Sequence, residues 1–111
     1  MYAIAFDLEI AALQQHYHNP SYNNAYNDIK NHLAEFGFTR QQGSVYFGDS
    51  TVDAVACVLA VMNMSATFAW FSHSVRDIRM LRIEEQNDLM PAVNIGATSN
   101  SNSPVVAMSG P

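Results

Sequence analysis

The chain has 111 residues, of which 49% are hydrophobic, so it can bury one globular core and is too apolar to be disordered along most of its length. Its formal net charge of −5 argues against a general nucleic-acid binder, because an acidic protein repels a polyanion at long range. The single cysteine, Cys57, excludes an internal disulfide, and the short apolar start MYAIAFDLEI resembles neither a signal peptide nor a membrane span, so we expect a cytoplasmic protein.

The first predicted element is a strand from Tyr2 to Leu8, in which large and small side chains alternate. A period of two gives a strand two different faces. The large side chains suit a core beneath helices, whereas Ala3 and Ala5 suit close approach by another sheet. Asp7 belongs to this small-residue face, near the end of the strand.

A turn or short helix is expected over residues 9–18, and Asn19-Pro20-Ser21 then provides a helix start. Aromatic and aliphatic residues recur at helical spacing from Tyr22 to Phe36, and Gly37 follows where a C-cap glycine is expected. This segment is therefore predicted to be the first long helix.

Two short strands, 38–41 and 44–48, are predicted to form a hairpin around Gln42-Gly43. From Val52 to Met64 the chain is almost uninterruptedly apolar, and its length favours a helix that is buried on more than one side.

A loop with three large aromatic side chains, Phe68, Trp70 and Phe71, is expected to lead to a last strand over Val75–Glu85. Alternation along this strand places Ile78 and Met80 on one face, and Val75, Leu81 and Ile83 on the other. Both faces therefore need to be covered.

The resulting order, β-α-β-β-α-β, predicts an α+β domain of the ferredoxin-like type, over residues 1–91, with an antiparallel sheet and both helices on one face. The other face is bare in a monomer, and a second subunit packed sheet against sheet is its simplest cover. Residues 92–111 form a Ser/Asn-rich tail without an apolar period, which we expect to be disordered or loosely attached.

Three stretches, NPSYNNAYNDI, GSVYFGD and VRDIRMLRIEEQNDLMP, together with the opening MYAIAFD, resemble the virulence-associated protein D (VapD) family. The resemblance extends from Met1 to about Pro91. It implies a ferredoxin-like homodimer, similar in structure to the small CRISPR-associated endoribonucleases of spacer acquisition. It also implies a ribonuclease toxin of a toxin–antitoxin system, with RNA as substrate and an antitoxin protein as partner. The tail after Pro91 departs from the family pattern.

Asp7 is the leading catalytic candidate, because the resemblance matches it to the signature aspartate that ends the first strand in the related nucleases. Two stacked subunits would bring Asp7 and its symmetry mate toward a shared cleft, where carboxylates could hold Mg²⁺ or Mn²⁺ or one could act as general base. The plainer alternative is that Asp7 caps the turn that follows the strand.

Ser44 and Asp77 complete the catalytic candidates. The Ser44 hydroxyl could orient a phosphate or a water, although a serine beside Gly43 is also an ordinary turn residue. Four arginines are RNA-binding candidates: Arg40, Arg76, Arg79 and Arg82. The alternative for at least one of them is an ion pair with a neighbouring acid, and Asp77 is itself flanked by arginines.

His16 and His18 form an H-x-H pair in a predicted loop, where solvated side chains are favoured over zinc ligands because no third ligand has suitable spacing. As acid/base groups they remain minor candidates. Cys57 is expected in the core with a raised pKa.

The hypothesis is a metal-assisted or acid/base endoribonuclease. Its rival is a non-catalytic dimeric scaffold, which the acidic net charge and the absence of a dense His/Lys/Tyr cluster favour. Whether a water or the ribose 2′-hydroxyl attacks the phosphate stays open.

Overall fold

The computed structural model describes residues 1–102. In chain order their elements are β1 (Tyr2–Leu8), α1 (Ile10–His16), α2 (Asn24–Ala34), β2 (Phe38–Gln42), β3 (Val45–Gly48), α3 (Ala54–Thr67), α4 (Ala69–Ser74), β4 (Val75–Arg82) and α5 (Met90–Asn102).

The strands form a single four-stranded sheet in the order β2-β3-β1-β4, and every neighbouring pair is antiparallel. The two central strands are β3 and β1, whereas β2 and β4 are the edges. This order, with α2 and α3 as the two crossover helices, is the predicted ferredoxin-like α+β arrangement, which is therefore confirmed.

One face of the sheet carries the core. Ile4, Phe6 and Leu8 of β1 are buried, and the Phe6 ring stacks on Tyr46 of β3 at 5.9 Å between centroids. Across this layer α2 contributes Ala25, Ile29 and Leu33, and α3 contributes Cys57, Ala60 and Met64. The alternation in β1 thus predicted its buried face correctly, and Cys57 lies in the core with its pKa raised by burial.

The opposite face of the sheet, which we call the open face, is defined by the strand register. Ala3 is paired with both Phe47 and Leu81, and Ala5 is paired with Val45. Because directly opposed residues share a face, these five apolar residues form one stripe. Leu81 is 43% exposed, so this face carries apolar surface at the end of the sheet remote from Asp7.

The helix ends show why these segments stop where they do. Gly37 adopts a φ of +90° after α2, a conformation that glycine tolerates without a Cβ penalty. A Cβ at this position would lie 3.0 Å from an Asp49 carboxylate oxygen. At α3, the Asp53 side chain accepts a hydrogen bond from the Ala56 amide at 2.8 Å and caps the helix.

Several predicted boundaries were wrong. The helix expected from Pro20 begins at Asn24, because residues 21–23 form a turn in which the Ser21 carbonyl accepts from the Asn24 amide. The expected aromatic loop is the short helix α4, which buries Trp70 and Phe71. The last strand ends at Arg82, not at Glu85.

The predicted faces of β4 were wrong at its start. Asp7 is paired with Asp77 and Leu8 with Val75, so Arg76 is an extra residue in β4, a β-bulge. The bulge turns Val75 to the same side as Ile78, and both pack against the core. A regular alternation across residue 76 placed Val75 on the wrong face.

The tail was expected to be disordered or loosely attached. Its residues 92–102 are helical and belong to α5, and the described side chains of this helix, 90–99, are exposed. The rest of that prediction, residues 103–111, lies outside the described residues. Among residues 1–102, no helix is both long and apolar enough to cross a membrane.

The core predicts a clear contrast between neighbouring positions in α2. Ile29 is fully buried and Lys30 is exposed, so Ile29→Ala should lower the free energy of unfolding by about 2–5 kcal/mol. Lys30→Ala should change it by less than about 0.5 kcal/mol. Denaturant titration measures both, and similar values for the two variants would contradict this packing.

Candidate active site

Three adjacent strands bring the predicted catalytic residues together. Asp7 lies opposite Asp77 in the β1–β4 ladder. On the other side of β1, the Ser44 carbonyl accepts a hydrogen bond from the Phe6 amide at 3.1 Å. Asp7 and Asp77 therefore lie on neighbouring strands at one end of the sheet, and Ser44 lies beside them in the hairpin turn, because β3 begins at Val45 and not at Ser44 as predicted.

The bulge residue Arg76 is the cation next to Asp7. Its Nη1 lies 3.8 Å from Asp7 Oδ2, and its Nη2 lies 4.0 Å from Glu9 Oε2. The side chains of Asp7 and Arg76 are each 61% exposed, so solvent screens this pair. The guanidinium is accordingly available to a phosphate that approaches Asp7.

The other arginine candidates have closer partners. Arg79 Nε donates to both carboxylate oxygens of Asp77, at 3.1 and 3.2 Å, and this hydrogen bond raises the pKa of Arg79. Arg82 pairs with Glu84 at 2.9 Å and lies opposite Tyr2, at the far end of the sheet from Asp7. Arg79 and Arg82 therefore both form ion pairs with a neighbouring acid, which was the alternative to RNA binding.

Arg40 lies on the edge strand β2, opposite Tyr46. Its Nε donates to the Gly43 carbonyl at 2.8 Å, which holds the side chain along the hairpin that leads to Ser44. Arg40 is therefore near the Ser44 end of the site, whereas Arg82 is not.

Tyr26 of α2 is a further residue near Asp7, and the sequence pattern indicated it only as part of the helix. Burial raises its pKa, with smaller contributions from Tyr22 and from the Asp7 carboxylate. The phenol is thus close enough to respond to the Asp7 charge, and it stays a neutral hydrogen-bond donor. The pair of tyrosines at i and i+4 was the available signal.

The donor set of one protomer does not fit a divalent ion. The part of the chain that the structure describes holds no group of three or more His, Cys, Asp or Glu side chains able to bind a metal. Asp77 already accepts both hydrogen bonds from Arg79, and Asp7 has Arg76 beside it. Each carboxylate therefore has an arginine as its charged partner, at hydrogen-bond distance for Asp77 and at 3.8 Å for Asp7.

Two further helices, α1 and α4, pack beside the end of β1 and carry His16 and His73, and His18 lies in the loop after α1. His16 ends α1, and its ring stacks on His73 of α4 at 4.4 Å with an interplanar angle of 15°. The His18 ring lies 4.3 Å from the ring of Tyr17, at an interplanar angle of 34°. The sequence spacing of H-x-H could not show this contact with α4.

Tyr17 joins α1 to α2. Its hydroxyl donates to Asp28 Oδ2 at 2.6 Å. Burial and this carboxylate together raise the pKa of Tyr17 to about 12. The pair fixes the carboxylate of Asp28 beside the histidine-bearing segment.

The sequence is similar to those of several known proteins. No model of a known protein family matches the chain. Endoribonuclease VapD 2 of Riemerella anatipestifer is 50% identical over 94 residues, covering 85% of this chain and 100% of that protein. An endoribonuclease VapD homolog of Helicobacter pylori is 47% identical, covering 86% and 98%. Endoribonuclease VapD of Dichelobacter nodosus is 44% identical, covering 84% and 97%.

The chain belongs to the VapD family. This confirms the resemblance found in the four sequence stretches. The similarity covers nearly the full length of each of these relatives.

The Tyr17–Asp28 pair predicts a pH dependence. The folded-state pKa of Tyr17, about 12, exceeds the ordinary 10.0, so its contribution to stability is complete below pH 10 and is lost as the pH rises through 12. Asp28→Asn should lower the pKa of Tyr17 toward its ordinary value without reaching it, since burial is the larger cause. Tyrosinate absorbance, with Tyr17→Phe identifying the signal, measures this; an unchanged titration in Asp28→Asn would contradict it.

Proposed function

We propose that the chain is an endoribonuclease that cleaves single-stranded RNA or mRNA at the end of β1. Two observations together support the proposal. Relatives at 44–50% identity are named endoribonucleases, and the three candidate residues from separate parts of the chain meet at one end of the sheet beside Arg76.

In the proposed reaction Asp7 is the general base. It accepts the proton of the attacking hydroxyl, either the ribose 2′-hydroxyl or a water, as a bond forms to phosphorus. The 5′-oxygen of the next nucleotide leaves and takes up a proton. Attack by the 2′-hydroxyl leaves a 2′,3′-cyclic phosphate and a 5′-hydroxyl end, whereas attack by water leaves a phosphomonoester.

Charge at phosphorus is balanced by Arg76 in this proposal. Its guanidinium can exchange the distant Asp7 and Glu9 oxygens, at 3.8 and 4.0 Å, for a bidentate contact with phosphate. Asp77 positions Arg79 beside the same site through two hydrogen bonds. The Ser44 hydroxyl and the neutral Tyr26 phenol are the proposed donors that orient the phosphate or the attacking water.

Mg²⁺ or Mn²⁺ enters the proposal only as a variable of the experiment, because one protomer does not supply a suitable donor set. Arginine supplies the positive charge that a metal would otherwise bring. The proposed steps therefore depend on side chains of this chain alone.

A homodimer is a further part of the proposal. The apolar stripe of the open face, with Leu81 at 43% exposure, would be covered by the same stripe of a second copy. Asp7 and Asp77 lie on the same face as that stripe, because they continue its register. Two stacked sheets would then enclose a cleft between the two sets of carboxylates.

The biological setting is proposed from the family likeness. We assign the chain the role of the toxin in a toxin–antitoxin system, acting on RNA in the cytoplasm and held inactive by an antitoxin protein. The exposed Asp7 and Arg76 side chains, 61% each, are the surface that such an inhibitor would have to cover.

The central test is cleavage of mixed-sequence RNA by the purified protein and by Asp7→Asn. Loss of the general base should slow cleavage by about 10²–10⁴-fold, while Glu35→Gln, which removes a remote exposed carboxylate, should leave the rate unchanged. Reactions with Mg²⁺, Mn²⁺ or EDTA and mapping of the product ends identify the attacking group. Equal cleavage by wild type and Asp7→Asn would place the chemistry on another residue, and no cleavage by either would favour a non-catalytic scaffold.

The dimer has its own test in light scattering. The wild type should have twice the 12.3 kDa mass of one chain, and Leu81→Arg on the open face should dissociate it. Leu59→Arg is the matched control, because Leu59 is equally apolar and 56% exposed but lies on α3, on the other side of the sheet. A wild-type species of 12.3 kDa at micromolar concentration would refute the shared cleft.

A further inference from the structure

A pocket of about 480 Å³ lies beside the end of α1, within the size range of small-molecule sites in proteins. Its lining includes His16, His18, Asp28, Phe68 and Trp70. These residues come from the end of α1 and the loop after it, from α2, and from the α3–α4 junction and the start of α4. The pocket has no part in the reaction proposed above. Its walls combine aromatic rings with one carboxylate.

The two imidazoles each have one covered face. His16 is stacked on His73 at 4.4 Å, and one side of the His18 ring lies 4.3 Å from Tyr17 at an interplanar angle of 34°. Both His16 and His18 are exposed. The second face of each ring is therefore open to a flat ligand. Deeper in the pocket, Phe68 and Trp70 are stacked at 5.1 Å and supply apolar ring surface.

The polar group of the pocket selects the ligand. Asp28 Oδ2 accepts the hydrogen bond of Tyr17, whereas Oδ1 has no protein donor among residues 1–102. The pocket lining contains no lysine or arginine. An anionic phosphate would meet a carboxylate there without a compensating cation, but a neutral ring with an N–H group would satisfy Oδ1.

We propose that this pocket is a subsite for one unpaired nucleobase of the RNA substrate. The base stacks on the exposed imidazole faces, as unpaired bases do on aromatic side chains, and its exocyclic amino group donates to Asp28 Oδ1. Adenine, cytosine and guanine carry such a group. Uracil does not, and its ring N–H lies between two carbonyl oxygens that the carboxylate repels.

The position of the pocket fits a substrate that also reaches Asp7. Helix α1 begins three residues after Asp7 and has seven residues, so His16 lies about 10 Å along it. His73, stacked on His16, lies three residues before Arg76. The inference rests on the proposed function, since it assigns the pocket to the same RNA.

The test uses the single tryptophan, Trp70, as a reporter in the wall of the pocket. Uncharged nucleosides are titrated into the full chain, and a saturable change in tryptophan fluorescence is expected with cytidine and adenosine. Uridine should bind roughly tenfold more weakly, the ratio expected for one lost hydrogen bond to a charged group. No saturable change with any nucleoside would overturn the proposal.

Variants separate the subsite from the chemistry. Asp28→Asn should remove the discrimination between cytidine and uridine, while Glu35→Gln, the matched loss of one carboxylate from the C-terminal end of the same helix, should preserve it. His18→Ala should lower the affinity for both nucleosides by roughly fivefold or more, because a stacking surface is lost. Retained discrimination in a folded Asp28→Asn protein, verified by circular dichroism, would overturn the assignment.

Asp7→Asn distinguishes the two proposals. This variant should lose RNA cleavage and bind cytidine with unchanged affinity. Cleavage by the wild type without nucleoside binding would refute the subsite and leave the proposed function standing. Nucleoside binding by a wild type that cleaves no RNA would refute the proposed function instead.

Discussion

The pairing of β1 with β4 is the constraint on which the site depends. In a regular antiparallel ladder the side chain of Arg76 would follow the alternation of β4. Arg76 is instead an extra residue without a partner on β1. Because a bulge bends its strand and redirects one side chain, a guanidinium comes to lie beside Asp7 while Val75 still packs in the core. Core packing and site chemistry are thus satisfied by one irregularity in the sheet.

The electrostatics of the site follow from exposure. Ion pairs between solvent-exposed side chains contribute about 0–1 kcal/mol each, and the Arg76–Asp7 and Arg79–Asp77 side chains are half or more exposed. Such pairs contribute little to folding, and their charges remain free to exchange partners. In a chain with a net charge of −5, this local arrangement of arginines is what makes binding of a polyanion feasible.

The alternation of β1 was sufficient to predict which side of the sheet is buried, since Ile4 and Phe6 face the helices. The pairing of Asp7 with Asp77 was not predicted, since it depends on the register of β1 against β4. The bulge could not be predicted either, because a one-residue insertion leaves a local apolar pattern that still resembles a regular strand. The contact of His16 with His73 was equally hidden, since it depends on how α1 packs against α4, an element that the sequence pattern presented as a loop.

The open face and the site pose opposite demands on a second subunit. The exposed Leu81 side chain would gain from burial by another sheet, whereas two copies of Asp7 brought close together would repel each other. Arg76 counters this repulsion within each protomer, because its guanidinium already faces Asp7. In the proposed dimer, a two-fold arrangement that buries the stripe and leaves the Asp7 ends splayed would satisfy both demands. It would also leave a cleft between the carboxylates that is open to a single RNA strand.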